Sequence, residues 1–383
     1  MADDQTPPAH HSSDTLLCQT LPCAAGAIGL ITLNSPKSLN ALSLPMLEAM
    51  LAQLADWESD EAIAMVVLCG AGERAFCAGG DVRFLYQELQ ASPERPERAE
   101  HFFAREYRLN YRLHSYTKPV VCWGHGAIMG GGMGLFQASR YRMVTPSLKL
   151  AMPELSIGLF PDVGASHFLN RLPGNIGMFM GLTGATLNIA DALRVGLADF
   201  AVPEDGLPEM LQWLQREDWS GRVETNDQHL HGLLQRFASQ YRLDLSESNL
   251  EHHEQFISRV CRGRDVVAVV NEILSADGDT DWFRKAQQNL AAGCPTSAHL
   301  VFEQLHRGLQ LGLADIFQME LNMAVHCLRH KDFMEGVRAR IIDKDQQPQW
   351  AHPDVASVPA GWVRSHFQSP WPEGEHPLAD LDD

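Results

Sequence analysis

Apolar positions along this chain fall into two kinds of run. Short uninterrupted runs dominate the first 145 residues: "AIGLITLN" at 27–34, "AIAMVVLCG" at 62–70, "KPVVCWGHG" at 118–126 and "YRMVT" at 141–145. Runs of that length, ending at glycine or a turn, read as strands buried on both faces, as in a parallel sheet. Between them the spacing becomes helical. Leu47, Met50, Leu51 and Leu54 give one helix a core face, with Ser43 placed to cap it and Pro45 in its first turn. A second, mixed helical stretch covers 93–114. Beyond residue 174 come two helical segments, "NIGMFMGLTG" and "NIADALRVG", then one more short strand in "LADFAV". From Leu230 to about Cys327 the pattern is almost entirely helical. Buried strand, loop and helix in repeated order predict an α/β fold.

The polar stretch 203–226, broken by glycine and proline, predicts a boundary. The expected division is a frayed polar tail over 1–14, a core carrying the site over 15–226, a helical region over 227–350 and an irregular tail over 351–383. The last of these holds Pro353, Pro359, Pro370 and Pro372. No internal repeat or low-complexity tract is visible.

Composition narrows the function. The 383 residues carry a net charge of −18, which disfavours nucleic acid as a partner because that binding rests on Lys and Arg neutralising phosphates. No uninterrupted apolar run reaches 18 residues, so no membrane span is expected. The acidic, polar N-terminus has the marks of neither an export signal nor a transit peptide, which predicts a cytoplasmic protein. Eight scattered cysteines without a CxxC read as free thiols in a reducing compartment, with neither a disulfide framework nor a metal site.

Elimination leaves little conventional chemistry. There is no GxxxxGK[ST], the glycines at 130–134 are not spaced GxGxxG, and "GASHF" at 164 lacks the closing glycine of a nucleophile elbow. "EHHEQF" at 251 is not HExxH and reads as a solvated helix face. Three strand-end segments remain: "RAFCAGGD" at 74–81, "IMGGGMG" at 128–134 and "AMPELSIGLFPDVG" at 151–164. The first two are glycine loops straight after buried strands, where backbone N–H groups can converge on one oxyanion. The third sets Glu154 and Asp162 among Met152, Leu159 and Phe160, dry enough for a carboxylate to serve as a base. Taken singly, these residues have plainer readings. The glycines would permit close helix packing, Glu154 would cap a turn, Asp162 would occupy a turn, His125 would be structural and Glu106 would lie on a charged surface.

In this order, "SPKSLNALS", "RAFCAGGDVR", "GHGAIMGGGMGL" and "AMPELSIGLFPDVG" resemble the crotonase superfamily, the enoyl-CoA hydratase/isomerase family. "FAREYRLN", "FPDVG" and "DFMEGVRARIIDKDQQPQW" bring the likeness nearest to its 3-hydroxyisobutyryl-CoA hydrolase branch. The likeness spans about 27–350 and implies a crotonase-like spiral of ββα units with a helical C-terminal region. It implies an acyl-CoA thioester substrate, with CoA as part of the substrate, no separate cofactor and no metal. It also implies an oxyanion hole from the N–H groups of Ala78 and Gly131, Glu154 as the catalytic carboxylate, and Glu106 and Asp162 lining the acyl pocket. Gly80 and Asp81 complete the substrate-binding set, Lys37 matches a basic position near CoA, and Lys344 is a weaker phosphate contact. Hydratases of the family carry a first glutamate two residues after the glycine triplet, where this chain has Gly134. The expectation is hydrolysis of 3-hydroxyisobutyryl-CoA or a similar short β-hydroxyacyl-CoA, in valine catabolism. An enoyl-CoA hydratase or isomerase and a non-catalytic acyl-CoA-binding protein stay open as alternatives, as does homo-oligomeric assembly.

Overall fold

The computed structural model describes residues 11–93 and 96–382. Nine strands occur among them: β1 (Leu16–Pro22), β2 (Ala27–Leu33), β3 (Ile63–Gly70), β4 (Ala75–Cys77), β5 (Val120–Gly124), β6 (Ala127–Met129), β7 (Tyr141–Val144), β8 (Lys149–Ala151) and β9 (Phe200–Ala201). Six form a sheet ordered β1-β2-β3-β5-β7-β9, in which only the β1–β2 pair is antiparallel. The three-residue strands β4, β6 and β8 make a second, wholly parallel sheet. Each unit supplies a long strand to the first sheet and a short one to the second, and the chain winds from one unit to the next as an α/β spiral.

The helices of the spiral are α1 (Leu44–Ser59), α2 (Val82–Ala91), α3 (Glu97–His114), α4 (Gly131–Ala138), α5 (Ala165–Phe168), α6 (Ile176–Thr183), α7 (Ile189–Arg194), α8 (Leu207–Gln215) and α9 (Val223–Ser239). The C-terminal part adds α10 (Asn249–Val260), α11 (Val266–Ser275), α12 (Asp281–Ala292), α13 (Pro295–Gly308), α14 (Leu313–Arg329), α15 (Lys331–Val337) and α16 (Ala360–Ser365). The β3 run is buried on both faces, as its pattern predicts. Ile63, Val66 and Leu68 enter the main core, while Met65, Val67 and Cys69 enter a second one beneath the sheet.

That second core corrects two expectations. Residues 203–226, read as a boundary, instead hold α8, whose Met210 and Leu214 are fully buried. The expected boundary at 226/227 falls inside α9, whose Leu230, Leu233, Leu234 and Phe237 seal the same face of the sheet. The proline-rich tail is irregular but tied down. Leu378 is fully buried, and Arg108 holds both the Pro377 carbonyl and the Asp380 carboxylate. Of the polar N-terminus, residues 1–10 lie outside the described part, and from His11 onward the chain is anchored by a backbone bond to Gln53 of α1. Ser43 stands at the cap of α1, but its side chain makes no capping bond. All eight cysteines are free thiols.

One glycine shows how tightly the small sheet and α4 meet. A β-carbon on Gly132 would run into the Cys77 carbonyl of β4. Gly196, by contrast, has left-handed φ of +76° and nothing within 4 Å. Gly132→Ala should therefore cost about 2–3 kcal/mol of stability by overpacking, and Gly196→Ala only about 1 kcal/mol of backbone strain. Urea denaturation of the two variants measures the difference.

Candidate active site

The three segments singled out in the sequence all follow strands of the small sheet. β4 leads into 78–81, β6 into the glycine cluster and β8 into 152–164. Their registers pair Cys77 with Ile128 and Met129 with Ala151, so three parallel strands end side by side and release their loops at one edge. A cavity of about 250 Å³ lies there, and its walls include Ala78, Gly80, Glu106, Gly131, Glu154 and Asp162.

The first loop is held by its neighbour. Asn40, fully buried, donates to the carbonyls of Ala71 and Ala75. Leu42 donates its N–H to the Gly79 carbonyl, and Asp81 returns one to Leu42. The Ala78 N–H is bonded to the Leu39 carbonyl at 3.0 Å, which corrects its expected role as an oxyanion donor. The N–H of Gly80 has no acceptor among the described residues, and Gly80 lines the cavity beneath the Phe102 ring. On the second loop, Gly130 turns with φ of +50° and α4 begins, leaving the Gly131 N–H without an intrahelical acceptor. The two loops nearly touch: a β-carbon on Gly79 would lie 3.7 Å from the Gly131 nitrogen. A β-carbon on Gly131 would collide with Glu106 Oε1, and one on Gly130 would come within 3.0 Å of Glu154 Oε1. The glycines thus let a backbone N–H and two carboxyl groups share one small space.

Those carboxyl groups are dry. Glu106, Glu154 and Asp162 are 2%, 5% and 3% exposed. Glu106 Oε1 and Glu154 Oε2 are buried without a hydrogen-bond partner among the described residues, whereas Asp162 accepts the Tyr107 hydroxyl at 2.8 Å. Burial raises the pKa of all three, most strongly at Glu106 and Glu154, where the negative charge of Asp162 adds to it. Asp162 is pushed up to about 7, with the Tyr107 bond opposing the rise. The three titrate together. At neutral pH the cavity therefore holds fewer than three negative charges, and a protonated member can donate a hydrogen bond.

Position 134 is filled by packing. A β-carbon on Gly134 would lie 2.7 Å from both Asn110 Nδ2 and Val163 Cβ. A glutamate cannot stand there unless α3 or the 162–164 loop moves.

The remaining expectations divide. Lys37 is exposed on the turn Pro36–Ser38 and does not line the cavity. Asp81 caps α2, accepting the Phe84 N–H at 3.1 Å, and is likewise no part of the wall. Lys344 sits after the π-turn Arg338–Ile342 with φ of +60°, also outside the cavity. His125 is buried away from it. In "EHHEQF", His252 is exposed as expected, but His253 is buried and stacks on Phe283. Sequence reasoning missed Tyr107, Arg340 and Ile341. The first follows Glu106 directly, and the others belong to the "DFMEGVRARI" run, whose π-turn closes one side of the cavity.

The raised pKa of Asp162 has a sign that stability can read. An exposed aspartate loses its proton near pH 4, whereas Asp162 keeps it to about 7. The folded chain binds more protons between those values, so its stability is fully present below pH 4 and falls as pH rises through 7. Asp162→Asn removes this titration. Calorimetry should show the Tm of the variant, relative to wild type, moving upward by several degrees between pH 5 and pH 8. An unchanged difference would refute the assignment.

The enoyl-CoA hydratase/isomerase family matches residues 28–367. Curated relatives named "3-hydroxyisobutyryl-CoA hydrolase, mitochondrial" include those of Danio rerio and Homo sapiens. Each is 37% identical over 345 residues, covering 90% of this chain and 88% and 87% of theirs. Among solved structures, an enoyl-CoA hydratase from Rhodobacter sphaeroides superposes with a TM-score of 0.79 at 32% identity, covering 93% of this chain and 98% of that one. A carnitinyl-CoA dehydratase from Mycobacterium thermoresistibile gives 0.81 at 31%, covering 95% and 98%. The relatives' names place those proteins in mitochondria and give the cytoplasmic expectation no support. Among the described residues no helix is long and apolar enough to cross a membrane.

Proposed function

The chain belongs to the enoyl-CoA hydratase/isomerase family, and we propose that it is a thioester hydrolase acting on 3-hydroxyisobutyryl-CoA, or a similar short β-hydroxyacyl-CoA, within valine breakdown. One observation carries this reading. The cavity gathers two backbone N–H groups unpaired among the described residues and three buried carboxyl groups, while the hydratase glutamate position is closed by Asn110 and Val163. Adding water across a double bond calls for both a base and an acid at neighbouring carbons, whereas acyl transfer needs one carboxylate and an oxyanion site.

In the proposed mechanism the thioester oxygen lies between the N–H groups of Gly80 and Gly131, and the positive end of α4 favours the negative charge that forms there. Glu154 drives the transfer by one of two routes. It takes a proton from water as the water attacks the carbonyl carbon, or it attacks that carbon itself and water then opens the anhydride. Either route expels CoA as a thiol and leaves the hydroxy acid. Asp162, steadied by Tyr107, and Glu106 orient the β-hydroxyl and the water. This chemistry needs neither metal nor redox cofactor, and CoA arrives with the substrate. Glu154→Gln should lower thiol release by at least about 10³-fold, while leaving acyl-CoA affinity within a few-fold. Near-wild-type release from that variant would overturn the proposal.

The hydratase and dehydratase names of the solved neighbours favour a second reading, hydration of an enoyl-CoA. The packing at Gly134 opposes it. Gly134→Glu should destabilise the protein by about 2–3 kcal/mol through overpacking and give no gain in crotonyl-CoA hydration, followed by loss of the conjugated absorbance.

A further inference from the structure

The loop that carries Asp162 is strained. Val163 adopts φ of +55° and Gly164 φ of +88°, and a left-handed β-branched residue persists only where its surroundings hold it. Those surroundings come from the C-terminal helices. Gln304 of α13, fully buried, donates its amide to the Pro161 carbonyl at 2.7 Å. Glu320 of α14, also fully buried, accepts the N–H groups of Gly164 at 2.7 Å and Ser166 at 2.9 Å. One turn earlier on α14, Phe317 packs its ring 6.1 Å from that of Tyr107, the residue that bonds Asp162. The same ring would lie 3.1 Å from a β-carbon on Gly164. Three hydrogen bonds from two helices thus bracket Asp162 on both sides. No salt bridge reaches Glu320 among the described residues, and burying a carboxyl without a cation is unfavourable for folding alone.

We propose that Gln304 and Glu320 are positioning residues. Together they clamp the strained 161–166 backbone so that the Asp162 carboxyl faces the β-hydroxyl of the bound acyl group. The clamp rests on the reading of Asp162 as the group that recognises this hydroxyl. It gives the C-terminal helices a role in substrate selection beyond closing the cavity, because they act through backbone groups of a loop they do not contain.

A double-mutant cycle on the full-length protein tests this. Gln304→Leu and Glu320→Gln are each made alone and with Asp162→Asn, so that one folded variant suffices should the other fail to fold. The readout is the ratio of Kd values for two unreactive thioether analogues, S-(3-hydroxyisobutyl)-CoA and S-isobutyl-CoA. Each clamp variant should reduce the preference for the hydroxylated analogue by about tenfold, the loss of one well-placed hydrogen bond. In the Asp162→Asn background neither should reduce it by more than twofold. A merely structural role would weaken both analogues alike and leave the ratio unchanged. That result overturns the proposal, as does a loss that adds in full to that of Asp162→Asn, or a wild type with no preference. Failure of the hydrolase reading appears separately, as a wild type that prefers the hydroxylated analogue but releases no thiol from the corresponding thioester.

Discussion

Parallel pairing among three three-residue strands governs the site. Because β4, β6 and β8 run in the same direction with Cys77 beside Ile128 and Met129 beside Ala151, their loops emerge together. Side chains alternate along a strand, so a one-residue slip of β6 would exchange its two faces and carry the glycine cluster off the line of the Gly80 N–H. Strands this short have few ladder bonds of their own. Gly132 lets α4 lie directly on β4, and the 35–42 segment ties the first loop down through Asn40, Leu39 and Leu42. Register, glycine packing and that splint together hold the two free N–H groups.

The second constraint is electrostatic. Glu106, Glu154 and Asp162 share one cavity, and burial raises the pKa of each. The unfavourable desolvation holds protons on these carboxyls, and Asp162, pushed up to about 7, can accept or donate one near neutral pH. Glu106 Oε1 and Glu154 Oε2 have no hydrogen-bond partner among the described residues and are free to take one from a ligand. The large negative charge of the whole chain has no bearing on this. What matters is that three buried acids line one cavity.

The C-terminal helices complete the arrangement from outside the spiral. Gly336 lets α15 approach the turn after Glu154, where a β-carbon would come within 2.5 Å of Ile157 Cα. α13 and α14 grip the Asp162 loop, and Arg340 and Ile341 close the cavity wall. The Asp162 loop and the turn after Glu154 are thus both packed by residues that lie more than a hundred positions further along the chain.

The apolar runs alone establish β2, β3, β5 and β7, since a strand buried on both faces has no polar side to hide, whereas β1 alternates between buried and exposed positions and has no such run. The glycine density and the order of the motifs establish the three loops and Glu154. Other features have no local signature. Strands β4, β6 and β8 are too short to show a period, and Glu106 lies in a helix whose sequence is charged enough to look exposed. Residues 203–226 look like a boundary because proline and glycine break the pattern, yet Met210 and Leu214 find the uncovered face of the sheet. The choice between the Ala78 and Gly80 N–H groups belongs to tertiary structure as well, because it depends on where the Leu39 carbonyl lands. Sequence determines which groups are present and how the chain is punctuated. Only packing decides which of them lose water and which keep an unpaired N–H, because both depend on neighbours brought in from distant parts of the chain.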